Sequence, residues 1–132
     1  MKKIIYLRIL FTGFFLLTLI SVSYAADLDI LEGATVVASD AQFLGVVSRN
    51  TLASDSMSND LGKYGSTLSS LSIFNTLGKY GSTLSALSPF NNLSSNPPRI
   101  ILRDGRWAYF TVNELKTPRI DPYTVIGWMK TK

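Results

Sequence analysis

Tyr64 and Tyr80 stand sixteen residues apart, each with a lysine before it (Lys63, Lys79) and a glycine after it (Gly65, Gly81). An aromatic ring in a turn beside an ammonium group is a means of stacking on a sugar ring or gripping a partner surface. A second pair, Trp107 and Tyr109, alternates along a predicted strand and so falls on one face of it. Lys63, Tyr64, Lys79, Tyr80, Trp107 and Tyr109 are therefore the candidate ligand-binding residues. The competing role for both tyrosines is to tuck over the hairpin sheet. For Trp107 and Tyr109 the expected state is coverage by the segment between the hairpins, because exposed aromatic patches are uncommon on small monomers.

Other chemistries are narrowed by composition. The chain has no histidine and no cysteine, so it has no disulfide, no thiol nucleophile and no serine–histidine pair, and it lacks the usual ligands of zinc, copper and haem. Calcium is the metal left to consider, with Asp55, Asn59 and Asp60 as oxygen donors in one turn-rich segment. The equivalent positions sixteen and thirty-two residues on are Leu71, Asn75, Thr76 and Leu87, Asn91, Asn92. The carboxylates do not repeat, which favours capping and turn roles. For hydrolysis by paired carboxylates the candidates are Asp104, Glu114 and Asp121. Asp104 is already explained by a turn and Asp121 by a helix cap, and Glu114 is left without an identifiable partner. The reading is of a protein that is not an enzyme and needs no cofactor.

The chain opens with Met-Lys-Lys, runs through an apolar stretch over 9–22, and reaches Ser23-Tyr24-Ala25. A cationic start, an apolar middle and small residues at the last and third-last positions form a bacterial secretory signal peptide, with cleavage expected after Ala25. No cysteine is present to carry a lipid. Lys2, Lys3 and Arg8 supply three of the four formal positive charges, so the remaining 26–132 carries +4 − 3 = +1. Near neutrality argues against nucleic acid as a partner. The expected place is the periplasm or the medium, with no stable membrane span after cleavage, and the expected partner is an envelope protein or glycan.

Between 51 and 93 a sixteen-residue unit runs three times, with Thr51, Thr67 and Thr83 in phase, and likewise Leu52, Leu68 and Leu84, Ser56, Ser72 and Ser88, Asn59, Asn75 and Asn91, and Leu61, Leu77 and Leu93. Serine and asparagine next to glycine favour turns over long helices. Each stretch 72–75 and 88–91 is expected to form about one helical turn, capped by its serine and closed by a left-handed asparagine. Pro89 opposes the rival reading of a continuous helix over 82–90.

Hairpin signals flank the repeat at 34–48 and 99–113. Asp104-Gly105 suits a two-residue type I′ turn, and Asp40-Ala41 is its weaker counterpart. Superposing Asp40 on Asp104 aligns Val36 with Ile100 and Phe43 with Trp107, so the hairpins read as related copies that join in one sheet. Asp121-Pro122 predicts a short closing helix over 122–128. The fold class is mainly β: one small domain, 26–132, in which two β-hairpins bracket a loop-rich sixteen-residue repeat region with short helical turns, an insertion over about 49–95.

The tandem Gly-Lys-Tyr-Gly-Ser segments 62–66 and 78–82, the Asn-Pro-Pro of 96–98, the hairpin ending in Thr-Val-Asn at 111–113 and Arg-Ile-Asp-Pro-Tyr at 119–123 resemble uncharacterised bacterial exported proteins with this order of elements. Members of that family often carry tyrosine where this chain has Leu68 and Leu84. The resemblance implies export and supplies no site residues. Composition, motifs and resemblance point to an exported, noncatalytic envelope or secreted module with a binding or structural role. The alternatives are a calcium-binding repeat protein and a small carboxylate hydrolase.

Overall fold

Thr35-Val36-Val37 and Arg99-Ile100-Ile101 are short β-branched runs, the residue type that packs well on a pleated surface, and they pair antiparallel at the centre of one sheet. The computed structural model describes residues 28–131; the expected signal peptide and its cleavage site lie outside them. The strands are β1 (Thr35–Val37), β2 (Phe43–Val46), β3 (Arg99–Ile101), β4 (Trp107–Phe110) and β5 (Arg119–Ile120), followed by the helix α1 (Pro122–Met129). Spatial order is β2-β1-β3-β4-β5, with only the last pair parallel. Val36 pairs with Ile100, the two residues equated when one hairpin is superposed on the other. The β1–β2 and β3–β4 hairpins thus lie side by side in one sheet, joined through β1 and β3.

Both hairpin turns are three-residue loops. Ala41 N–H donates to Ala38 O at 2.9 Å and Gly105 N–H to Leu102 O at 2.9 Å, while Ala38 N–H reaches Gln42 O and Leu102 N–H reaches Arg106 O. Only the third loop residue is left-handed, Ala41 at φ 75° and Gly105 at φ 93°. A type I′ turn needs positive φ at both central residues, so the expected Asp104-Gly105 turn gives way to a type I turn with a following bulge. The aspartates explain the preference: Asp40 Oδ1 accepts from Gln42 N and Asp104 Oδ1 from Arg106 N, which fixes the loop with the aspartate one residue before the left-handed position.

The repeat contains no helix. From Ala53 to Ser88 it is a chain of tight turns whose closing amides are those of Ser56, Asn59, Gly62, Ser66, Ser69, Ser72, Asn75, Gly78, Ser82, Ser85 and Ser88. Four steps of three residues and one of four, at Gly62–Ser66 and again at Gly78–Ser82, make the sixteen-residue period. Each serine or asparagine accepts the amide two residues on: Ser66 from Leu68, Ser69 from Leu71, Ser72 from Phe74 and Asn75 from Leu77. Those local bonds take the donors a helix would use, which is why the expected helical turns do not form. Nor is Asn75 left-handed. Its amide instead reaches six residues back to Ser69 O at 3.1 Å, as Asn91 does to Ser85 O.

The repeat and α1 lie on the core face of the sheet. Met57, Ile73 and Tyr80 join Val36, Leu44, Ile100, Ala108, Phe110, Val125, Trp128 and Met129 in one cluster. The helix begins as expected, with Asp121 accepting from Tyr123 N at 2.9 Å and proline in the first turn, and it ends at Met129. Its Trp128 donates to Asp29 Oδ1 at 3.3 Å, with the Arg49 guanidinium 4.2 Å above the ring, so the two ends of the domain meet. Among the described residues no helix is long and apolar enough to cross a membrane.

Candidate functional site

The two repeat tyrosines occupy the same place in their units but meet different neighbours. Tyr80 is 5% exposed, and its hydroxyl donates to Asp40 Oδ2 at 2.8 Å, with Lys79 Nζ 3.5 Å from the same oxygen. It joins the third repeat unit to the β1–β2 turn and offers no open ring face. Tyr64 is half-buried, edge-on to Phe43 with centroids 5.1 Å apart. Lys63 remains exposed, 5.9 Å from the Tyr64 ring centre. Tyr80 and the Tyr64 edge thus form a seam between repeat and hairpin, with Lys63 and Lys79 left exposed.

The seam is sensitive to pH. The Tyr80 hydroxyl, then the Gln42 amide and Lys79, hold the Asp40 carboxyl below its usual range against opposing desolvation. Because the unfolded chain takes up that proton first, the stabilisation is complete above the ordinary carboxylate range and is lost as pH falls through the lowered value. Desolvation, followed by the Asp40 bond, pushes the Tyr80 phenol up. Its stabilisation is complete below the ordinary tyrosine range and is lost on the alkaline side. Thermal melts taken from about pH 5 to about pH 3 should therefore fall more steeply for the wild type than for Asp40→Asn. Parallel acid profiles would show that the bond contributes nothing.

The other candidates resolve one by one. Asn59 spends its amide on Ala53 O and its carbonyl on Leu61 N, and Asp60 faces Lys130 at 4.0 Å. Among the described residues no three acidic side chains gather as a metal site would require. Asp104 is held by the Arg106 backbone and side chain, which keep its carboxyl below the usual range, and Asp121 caps α1. Glu114 is exposed. An open groove of about 440 Å³ lies between Asp29, Glu32, Leu102 and Arg103. Its acids are already engaged, Asp29 with Trp128 and Glu32 with the Ser48 hydroxyl and Arg49 amide.

Trp107 and Tyr109 come together on the face of β4 opposite the core. The expected cover is not there, because the repeat packs with Ala108 and Phe110 on the other side. Trp107 is 41% exposed and meets Tyr109 edge-on at 5.2 Å. Arg99, paired across the sheet with Tyr109, places its guanidinium 4.5 Å from the Trp107 ring centre and 5.8 Å from that of Tyr109. Lys116 lies 4.9 Å from the Tyr109 ring centre. Arg119 pairs with Tyr109 from β5 and donates to Thr111 O at 3.0 Å. Neither Arg99 nor Lys116 has a carboxylate within ion-pair distance among the described residues. Sequence reasoning missed Arg99 as a site residue. Counting outward from the expected two-residue Asp104-Gly105 turn pairs Arg99 with Phe110; the three-residue loop shifts the register by one and pairs Ile101 with Trp107 and Arg99 with Tyr109, so the sequence put Arg99 on the wrong face. Lys116 arrives from a loop, with no signal of its own.

Comparison with known protein families, curated proteins and solved structures finds no match, which leaves the geometry of the chain to carry a functional reading.

Proposed function

We propose that this protein is an exported, noncatalytic bacterial module that holds an acidic glycan on the open face of its sheet. The observation that carries this reading is the Trp107–Tyr109 pair, with Trp107 exposed and Tyr109 half-buried, flanked by Arg99 and Lys116, two cations without a carboxylate partner among the described residues. Aromatic rings supply apolar contact to a sugar face, and unpaired cations select for an anionic ligand. One strand holds both rings, so little side-chain order is lost on binding. Export rests on the leader at 1–25, and the absence of histidine and cysteine supports a role without catalysis.

Binding to immobilised acidic and neutral polysaccharides tests the reading. Capture of the acidic polymer should weaken with salt and disappear in Trp107→Ala/Tyr109→Ala. Arg99→Gln should lower it about tenfold, the scale of one charge-assisted contact. Trp107 fluorescence should respond to the ligand, since Trp128 is buried. Equal capture of neutral and acidic polymers, or none by the wild type, would overturn the proposal.

A further inference from the structure

The open face of the sheet offers a ligand one aromatic surface, not a row of them. The ring centres of Trp107 and Tyr109 are 5.2 Å apart, but the ring planes stand at 89° to each other. Edge-to-face contact is a favoured packing of two aromatic rings, so each holds the other in place. The Arg99 guanidinium sits over Trp107 at 4.5 Å and over Tyr109 at 5.8 Å, and the Lys116 ammonium sits over Tyr109 at 4.9 Å. Tyr109 is half-buried, whereas Trp107 is 41% exposed. With Arg99 over its ring and Tyr109 against it, Trp107 has at most one face open for stacking.

The neighbouring positions supply no second ring. Across the sheet, Trp107 pairs with Ile101 and Ile101 with Thr35, while Tyr109 pairs with Arg99 and Arg99 with Val37. Phe43, the partner of Val37 on β2, is taken edge-on by Tyr64. Tyr123 is exposed but belongs to α1, on the core side of the sheet, where it meets Phe90. The charges around the corner are equally few. Arg119, the β5 neighbour of Tyr109, is bound to Thr111 O. Asp104 is spent on Arg106 and Asp121 on the first turn of α1. Glu114, two residues before Lys116, is exposed and forms no ion pair among the described residues. Arg99 and Lys116 are therefore the cations that an acid group at Trp107 would meet.

We propose that this site takes a single acidic sugar residue, stacked on Trp107 with its acid group within reach of Arg99 and Lys116, and does not follow a glycan along its chain. The proposal rests on the glycan reading and narrows it. A surface that tracks a polysaccharide needs apolar faces in line, one for each successive sugar. Here the second ring stands at a right angle to the first and lies beneath a lysine. Tyr109 is accordingly a positioning residue, which sets the plane of Trp107 and carries Lys116 without stacking on the sugar. The first sugar gains the stacking contact and the charge-assisted hydrogen bonds, and sugars beyond it gain nothing comparable.

Titration with galacturonic acid and its linear oligomers of two to six units, followed by Trp107 fluorescence, tests this. The affinity per sugar unit should stay constant within about threefold across the series. Arg99→Gln should weaken every length by the same factor, about tenfold. Tyr109→Phe, which keeps the ring, should bind like the wild type, and Tyr109→Ala should bind severalfold more weakly while remaining indifferent to length. Unchanged melting temperatures would show that these variants are folded. A rise of about tenfold with each added unit up to the fourth would overturn the proposal and leave the glycan reading standing. So would capture of the immobilised acidic polymer together with no response to the single sugar. Failure of the polymer and of every oligomer to bind would remove both readings.

Discussion

Gly81→Ala is expected to destabilise the domain by roughly 3 kcal/mol or more, at or beyond the upper end of what overpacking costs. A Cβ at position 81 would overlap Asn75 O and stand 2.5 Å from Ile73 O and 2.8 Å from Asn75 C. These are backbone atoms, fixed by the turns that Asn75 and Ile73 build, so the clash cannot be relieved by turning a side chain. Gly65 occupies the same position one unit earlier, where a Cβ would overlap Asn59 O and lie 2.9 Å from Met57 O. Neither glycine has a positive φ; close approach, not handedness, requires them. Gly127 is the control. It is exposed in α1 with nothing within 4 Å of an added Cβ, so Gly127→Ala should stabilise by up to about 1 kcal/mol through helix propensity. Urea unfolding of both variants checks the pair. A Gly81→Ala variant as stable as the wild type would mean that the turns can open at no cost.

The glycines also mark where sequence reading stopped. In the sequence, Gly65 and Gly81 punctuate loops like any others, because the residues they nearly touch lie six to eight positions back across a turn whose path was not yet known. The sixteen-residue period was plain, but its cause was not. It comes from the four-residue step at Gly62–Ser66 among steps of three, and shows only when each amide is followed to its acceptor. The two hairpins were legible because alternation and turn residues act locally, but their register was not, since each loop holds three residues where the turn residues suggested two. Which face the repeat would cover was not legible. Leucines in the repeat suggested cover for Trp107 and Tyr109, yet those leucines point outward and the core takes Met57, Ile73 and Pro89. Local pattern identifies apolar residues without saying which of them face inward along an irregular chain. The same gap divided Tyr64 from Tyr80, identical in context and different in neighbours.

Ile73 and Leu77 place that distinction in a single repeat unit. Both are large aliphatic residues four positions apart, and composition treats them alike. Ile73 is fully buried, on the side of the turn chain that joins the sheet and α1 in the core, whereas Leu77 is 95% exposed. Ile73→Ala should cost about 2–5 kcal/mol, from lost transfer energy and the cavity left between repeat and sheet. Leu77→Ala should change stability by no more than about 0.5 kcal/mol, as surface substitutions do. Position 77 keeps its amide bond to Asn75 in either case, so the contrast isolates side-chain burial. Paired urea melts of the two variants read the difference directly. Comparable losses at both positions would mean that Leu77 is covered in solution, and the division of the turn chain into a core side and an outer side would have to be abandoned.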